Sequence, residues 1–346
     1  MRPGSVSRKA NRAICERIAF VALIGLACIS PAAARPMYTI LPANTYIFSI
    51  NDNGAAAGSF GVNTGFLRTP DGTITMFQMP DGAQELDAFS INSSDAITGY
   101  YQNESGVYHG FVRTADGTIT TFDAPNAGSG AGQGTFAYSI NTSGTSVGLS
   151  IDNAGAEHGV IRNPDGGFVT FDVQHAKGTT ARSINDKGLI AGTYTDLHSI
   201  THSFVRTPNG RITKFDAPGN NLSTGVAAIS SKGVITGEYM DEDHAKHGYI
   251  RATDGSFTEF DSPGLDTFPT ALNAKGTIVG QYLSANLKHG YGFVRNSNGA
   301  TDTLHIPQTK GTLLPETINT SGVIAGAIFV PTGNHQTTHY GFIRTP

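Results

Sequence analysis

The chain has 346 residues, a formal net charge of −4, two cysteines and no tryptophan. So little positive charge argues against a protein that holds nucleic acid by neutralising phosphates. Two cysteines cannot supply a disulfide framework or a four-thiolate metal site.

The N-terminus reads as a secretory signal peptide over residues 1–34. Arg2, Arg8, Lys9, Arg12 and Arg17 make a basic segment, an apolar run follows from Ile18 to Ile29, and Ala32, Ala33 and Ala34 precede Arg35. The apolar run is too short to span a bilayer. A lipoprotein cleavage before Cys28 fits less well, because Gly25 stands where a large aliphatic residue is usual. Removal of this segment leaves 18 basic and 26 acidic residues and takes both Cys15 and Cys28 with it. The expected mature protein is secreted or periplasmic, without disulfides, and not inserted in a membrane.

Residues 35–346 read as a single domain of internal repeats. A Phe-Val-Arg segment or a close variant places arginines at Arg68, Arg113, Arg162, Arg206, Arg251, Arg295 and Arg344, at steps of 45, 49, 44, 45, 44 and 49 residues. Each copy predicts four short strands, here a to d. In the fourth copy they are Ser183-Ile184-Asn185, Gly188 to Tyr194, His202 to Arg206, and Ile212 to Asp216. The runs are short, rich in β-branched and aromatic residues, and bounded by Gly, Asn, Asp and Pro. Between a and b stands Asn-x-x-Gly, as in Asn141 to Gly144. Between c and d stands Pro-Asp-Gly or a relative, as in Pro70-Asp71-Gly72. Asn bonds the backbone two residues on, and Gly supplies positive φ. The b–c and d–a connections read as longer and variable.

Seven four-stranded repeats predict an all-β, seven-bladed β-propeller, with a β-solenoid as the alternative. The expected repeat limits are about 46–88, 89–137, 138–181, 182–227, 228–271, 272–317, and 318–346 together with 36–45. The chain ends favour the propeller. The last copy stops after strand c at Phe342-Ile343-Arg344, whereas Met37 to Asn44 resembles a strand d. The N-terminal strand would thus complete the last blade and close the ring, hiding open edges.

The Ser-Ile-Asn, Gly-x-Ile-x-Gly, His-Gly-Phe-Val-Arg and Thr-x-Phe-Asp-x-Pro segments resemble the HAF-type repeat of exported bacterial proteins, over essentially all of residues 37–346. The resemblance implies secretion and a propeller-like fold. It implies no particular reaction.

One side-chain pattern stands out. A histidine opens strand c in four copies, at His109, His158, His202 and His247, and an aspartate follows 14 residues later at Asp123, Asp172, Asp216 and Asp261. Elsewhere both change together: Thr64 with Gln78, Tyr291 with His305, Tyr340 with Leu41. A three-residue c–d loop puts His109 opposite Asp123 and Gly110 opposite Phe122. Fourfold repetition favours a cross-strand contact worth about 0.2–1 kcal/mol over a ligand, metal or catalytic site. The recurring arginine reads as an inter-blade hydrogen-bonding or surface group, with an anion site as the alternative. Weaker metal candidates are the acidic loop Asp241-Glu242-Asp243, which lacks the alternating calcium-loop pattern, and Asp196 with His198 and His202.

No nucleophile elbow, phosphate loop or zinc-protease helix motif is present, and no cofactor is expected. The copies look alike, whereas enzymes usually break repeat symmetry. The expected function is therefore a non-enzymatic, monomeric binding module. It would take a protein or glycan ligand on the face of the b–c and d–a loops. The alternatives are a propeller-type enzyme acting on extracellular glycans and a structural surface or matrix component.

Overall fold

The computed structural model describes residues 37–80, 82–219, 222–284, 290–306, 311–333 and 336–346, without the side chains of Gly333 and Gln336. The expected signal peptide, its two cysteines and Arg35 lie outside the described residues. Residues 36–346 form one compact unit. It is a β-propeller of seven four-stranded antiparallel blades, with no helix among the described residues.

Blade one runs Thr45–Ile50, Ala56–Phe60, Thr64–Arg68 and Ile74–Phe77. Blades two to six repeat this order, and blade five has its strand a in two pieces, Ser223–Thr224 and Ala228–Ile229. Strand a begins ahead of the expected repeat limits: it spans Glu85–Ile91 in blade two and Ala176–Ile184 in blade four. Tyr108–Gly134 and Glu157–Gly178 bridges join strand c of blades two and three to strand a of the following blade.

Blade seven takes Thr312–Ile318, Ile324–Gly333 and Gln336–Thr345 from the C-terminus and Met37–Ala43 from the N-terminus. The register pairs Tyr38 with Arg344 and Ile40 with Phe342. This is the closed ring expected from the chain ends. One expected pair is corrected: a register shift after Ile40 sets Ala43, not Leu41, opposite Tyr340. Leu41 is instead 4% exposed, packed with Ile47, Phe66 and Ile343 across the seam between blades seven and one. It fills the place that phenylalanine takes in strand d of blades one to five and Leu304 takes in blade six.

The core lies between blades. Leu67 and Phe77 of blade one, for example, pack against Leu86, Ile97 and Phe111 of blade two. The recurring motifs serve these interfaces. Each Asn of Ser-Ile-Asn accepts turn amides with Oδ1 and donates Nδ2 to a main-chain carbonyl of the next blade. Asn185, for instance, accepts from Lys187 and Leu189 and donates to the Ser230 carbonyl at 2.9 Å. The Ser hydroxyl accepts the next blade's Ile N–H, as Ser139 does from Ile184 at 3.2 Å.

The strand-c arginine reaches the neighbouring blade, but through a ring face and not through the expected hydrogen bonds, which go to the carbonyl of the next residue in its own blade. Arg113, Arg162, Arg206, Arg251 and Arg295 each stack on the strand-d phenylalanine of the preceding blade, 4.6–5.2 Å from its centroid. Burial lowers the Arg206 pKa from its ordinary value. The aromatic face recovers part of that desolvation.

The b–c connections differ from expectation. In blades two to five they are as tight as the a–b turns: Asn103, Asp152, Asp196 and Asp241 each accept main-chain N–H groups two and four residues on. Such an Asx turn needs only a short acceptor side chain, which is why so many different tetrapeptides fold alike there.

Candidate functional site

The His–Asp pairs form in all four copies. His109, His158, His202 and His247 place Nδ1 2.7–3.0 Å from Asp123, Asp172, Asp216 and Asp261. The register that sets Gly110 opposite Phe122 produces them. Gln78 and Thr64 keep the same contact at 3.3 Å in blade one.

The second ring nitrogen meets the b–c turn. Nε2 faces Asn103 at 2.9 Å in blade two, and Asp152, Asp196 and Asp241 at 3.4, 3.5 and 3.1 Å in blades three to five. Three of the four rings also lie against a strand-b tyrosine, as His247 does against Tyr239 at 5.0 Å. Burial disfavours the His158 and His247 cations, but the flanking carboxylates outweigh it and raise both pKa values. Each histidine thus ties strands b, c and d together at one end of a blade. The four pairs sit in four separate blades and do not converge.

Asp241 of the acidic loop is spent on this clasp and on its own turn. Asp196 likewise accepts from His198 and Ile200 and faces His202. Among the described residues no group of three or more His, Cys, Asp or Glu is placed to hold a metal ion.

The convergent site lies elsewhere, at the central opening on the b–c and d–a side. Strand a carries a β-bulge in its middle. In blade one Ile47 pairs with Gly58 and Ser49 with Ala57, so Phe48 has no partner. Tyr138, Arg182, Thr270 and Glu316 are skipped in the same way in blades three, four, six and seven. A bulge adds one residue, bends the strand and re-aims a side chain. Here it turns the residue just before Ser-Ile-Asn into the channel. The second glycine of strand b permits this: a Cβ on Gly58, Gly148 or Gly326 would strike the carbonyl of Tyr46, Phe136 or Leu314.

The skipped position is where the repeats differ. It holds Phe48, Phe89, Tyr138, Arg182, Ala227, Thr270 and Glu316 in blades one to seven, and these side chains line an opening of about 410 Å³. The copies therefore do break symmetry, at positions that include this one and the strand-b residue after the second glycine, which supplies Glu238 to the same wall. Reading the column before Ser-Ile-Asn is the signal that finds the first of these.

One arc of the opening is aromatic. Phe48 stacks on Phe89 at 4.8 Å and 16°, Phe89 meets the Tyr138 edge at 5.5 Å, and Tyr46 lies 4.6 Å from Phe48. Three carboxylates stand in or beside the wall. Tyr46 donates a short hydrogen bond to Glu316, and Tyr100 donates to Asp87 at 3.0 Å. Burial pushes both carboxyls up, against the lowering effect of these bonds. Burial pushes Glu238 up as well, offset in part by the Lys246 and Arg182 charges. Arg182 lies over the Tyr138 ring at 5.4 Å and is exposed to the opening.

The opposite mouth of the channel is built from the a–b turns. It is more regular, with Asn51, Asn92, Asn273 and Asn319 around a space of about 230 Å³. Its amides are already committed to the inter-blade belt.

No family model matches the sequence, and no curated protein matches it either. Solved structures do match in fold. Virginiamycin B lyase from Staphylococcus aureus aligns with a TM-score of 0.55 and 16% identity over 89% of this chain and 98% of that one. A streptogramin B lyase gives 0.55 and 15% over 89% and 97%. A catalytically inactive variant of the S. aureus lyase with quinupristin gives 0.53 and 16% over 89% and 99%. At such identities the likeness is one of fold, and the fold it supports is the β-propeller.

Proposed function

We propose that the protein is an exported, non-enzymatic binding module that takes a protein or glycan ligand at the central opening on the b–c and d–a side. One observation carries the reading. The recurring Asn, Ser and Arg side chains are engaged between blades and the His and Asp pairs within them, whereas the varied residue before Ser-Ile-Asn lines an opening of about 410 Å³. A rigid ring carrying six kinds of side chain at seven equivalent positions around a small-molecule-sized opening is a binding scaffold. Export is supported by the basic, apolar and small-residue order of residues 1–34, and by the resemblance of the repeat to the HAF type.

A second reading, a propeller-type enzyme acting on extracellular glycans, draws on the half-buried carboxylates with raised pKa at the same opening. A binding screen of residues 35–346 against glycans and peptides, with the recovered ligand analysed afterwards, separates the two. The expected result is saturable binding that Phe89→Ala abolishes, with the ligand recovered unchanged. Cleaved or rearranged ligand would establish the enzyme. Binding that Phe89→Ala leaves intact would move the site away from the opening.

A further inference from the structure

Resting on the central opening as the ligand site, we infer that the group bound there is an organic ammonium, a cation carried on an apolar or aromatic body. Three features of the wall converge on that chemistry.

The first is the ring faces. Phe48, Phe89 and Tyr138 come from three successive blades and are held on one arc by stacked and edge-on contacts at 4.8 and 5.5 Å. All three are half-buried, each keeping part of its ring accessible. Stacked ring faces attract a cation through their quadrupole, most strongly when water is partly excluded.

The second is the charge beside the rings. Glu316 of blade seven accepts from Tyr46, whose ring is 4.6 Å from Phe48, and Asp87 accepts from Tyr100, whose ring is 5.6 Å from Phe89. Glu316 accepts from a tyrosine hydroxyl and Asp87 from a tyrosine and a serine hydroxyl, all neutral donors, and neither makes an ion pair among the described residues. A half-buried carboxylate with only neutral partners keeps most of its desolvation cost. An incoming cation would remove part of that cost, whereas an anion would add to it.

The third is the placement of the wall's own cation. Arg182 belongs to blade four, across the ring from Glu316, and lies over the outer aromatic, Tyr138. The Arg182 charge acts on Glu238 of the neighbouring blade, opposing the rise that burial causes there. The Glu316 end of the aromatic arc is therefore the electronegative end. An ammonium seated over Phe48 and Phe89 meets Glu316 on its flank, away from Arg182.

Isothermal titration of residues 35–346 with benzyltrimethylammonium, and separately with benzoate of similar size, tests the inference. We expect the ammonium to bind and benzoate not to bind. Glu316→Gln keeps a partner for the Tyr46 hydroxyl, and it and Phe89→Leu should each weaken ammonium binding about tenfold. Arg182→Gln should strengthen it by removing a like charge. Asp87→Asn gives the same test from a second blade should Glu316→Gln lower the melting temperature. Tighter binding of benzoate, lost in Arg182→Gln, would overturn the ammonium inference while leaving the opening as the binding site. Ammonium binding unaffected by both Glu316→Gln and Phe89→Leu would overturn it too. N-acetyl-lysine amide and glucosamine then separate a peptide source of the ammonium from a sugar source.

Discussion

The side-chain amide of Asn319 donates to the main-chain carbonyl of Asn51 at 3.1 Å, joining the last blade to the first. The seam repeats what holds the interior together. Thr320 bonds Asp52 through its N–H and its hydroxyl, at 2.7 and 2.9 Å, as Thr142 bonds Asp186 at 2.8 and 2.6 Å. At this belt the seam uses the same contacts as an interior blade junction. The Asn amide step occurs at six of the seven blade junctions, the seam among them.

The belt predicts two opposite mutational effects. Asn185→Ala removes two turn acceptor bonds and the amide to the Ser230 carbonyl, all at a buried site. It should cost about 2–4 kcal/mol. Ser230 occupies the Asn position in blade five and has no amide to offer blade six. Ser230→Asn should add about 0.5–1.5 kcal/mol. Chemical denaturation of both variants gives the comparison; a neutral Asn185→Ala would mean that the belt contributes nothing.

Ring closure rests on the N-terminal strand. A chain beginning at Asn44 exposes the edge of strand c from Tyr340 to Arg344 and empties the place of Leu41. Its melting temperature should fall sharply and it should aggregate, because an open edge pairs with other chains. Leu41→Ala alone should cost about 2–4 kcal/mol through the cavity it leaves. A shortened chain that stays monomeric and melts like the parent would contradict the closed ring.

The bulges depend on the second glycine of strand b. A Cβ on Gly148 would meet the Phe136 carbonyl and the Ala137 backbone, so the strands would have to separate locally. Gly148→Ala should destabilise by about 2–3 kcal/mol. Gly61→Ala is the control for steric crowding, since nothing lies within 4 Å of the added atom there. Its positive φ of 64° still costs about 1 kcal/mol. Equal losses in the two variants would remove the steric account of the bulge.

The His–Asp clasp predicts a weak pH dependence with a definite sign. The folded pKa of His158 and of His247 is raised above the ordinary 6.5. Their contribution is therefore complete below about pH 6.5 and disappears as pH rises through the raised folded value. Asp172 is 56% exposed, so solvent screens the pair. Asp172→Asn should cost about 0.5 kcal/mol at pH 5.5 and nothing at pH 9. His202→Ala should likewise cost about 1 kcal/mol or less. Dialysis against a chelator should leave the melting temperature unchanged. A clear drop, or metal retained by the parent and lost in His202→Ala, would make these pairs ligands instead of clasps.

Much of this architecture is legible in the residues themselves, because it rests on local rules. Strand alternation, the Asn-x-x-Gly turns, and the 14-residue step from His109 to Asp123 are decided within one hairpin, so pattern and register suffice. The N-terminal strand is legible because it resembles a strand d. Other features depend on atoms a whole blade away, and periodicity says nothing of them. The arginine guanidinium groups of one blade settle on phenylalanines of the blade before, and Asn amides find carbonyls of the blade after. Above all, the β-bulge decides that the residue before Ser-Ile-Asn, and not its neighbours, turns into the channel. An alternating strand assigns that residue to a blade face; only the extra, unpaired position in the folded ladder turns Phe48, Arg182 and Glu316 toward one opening.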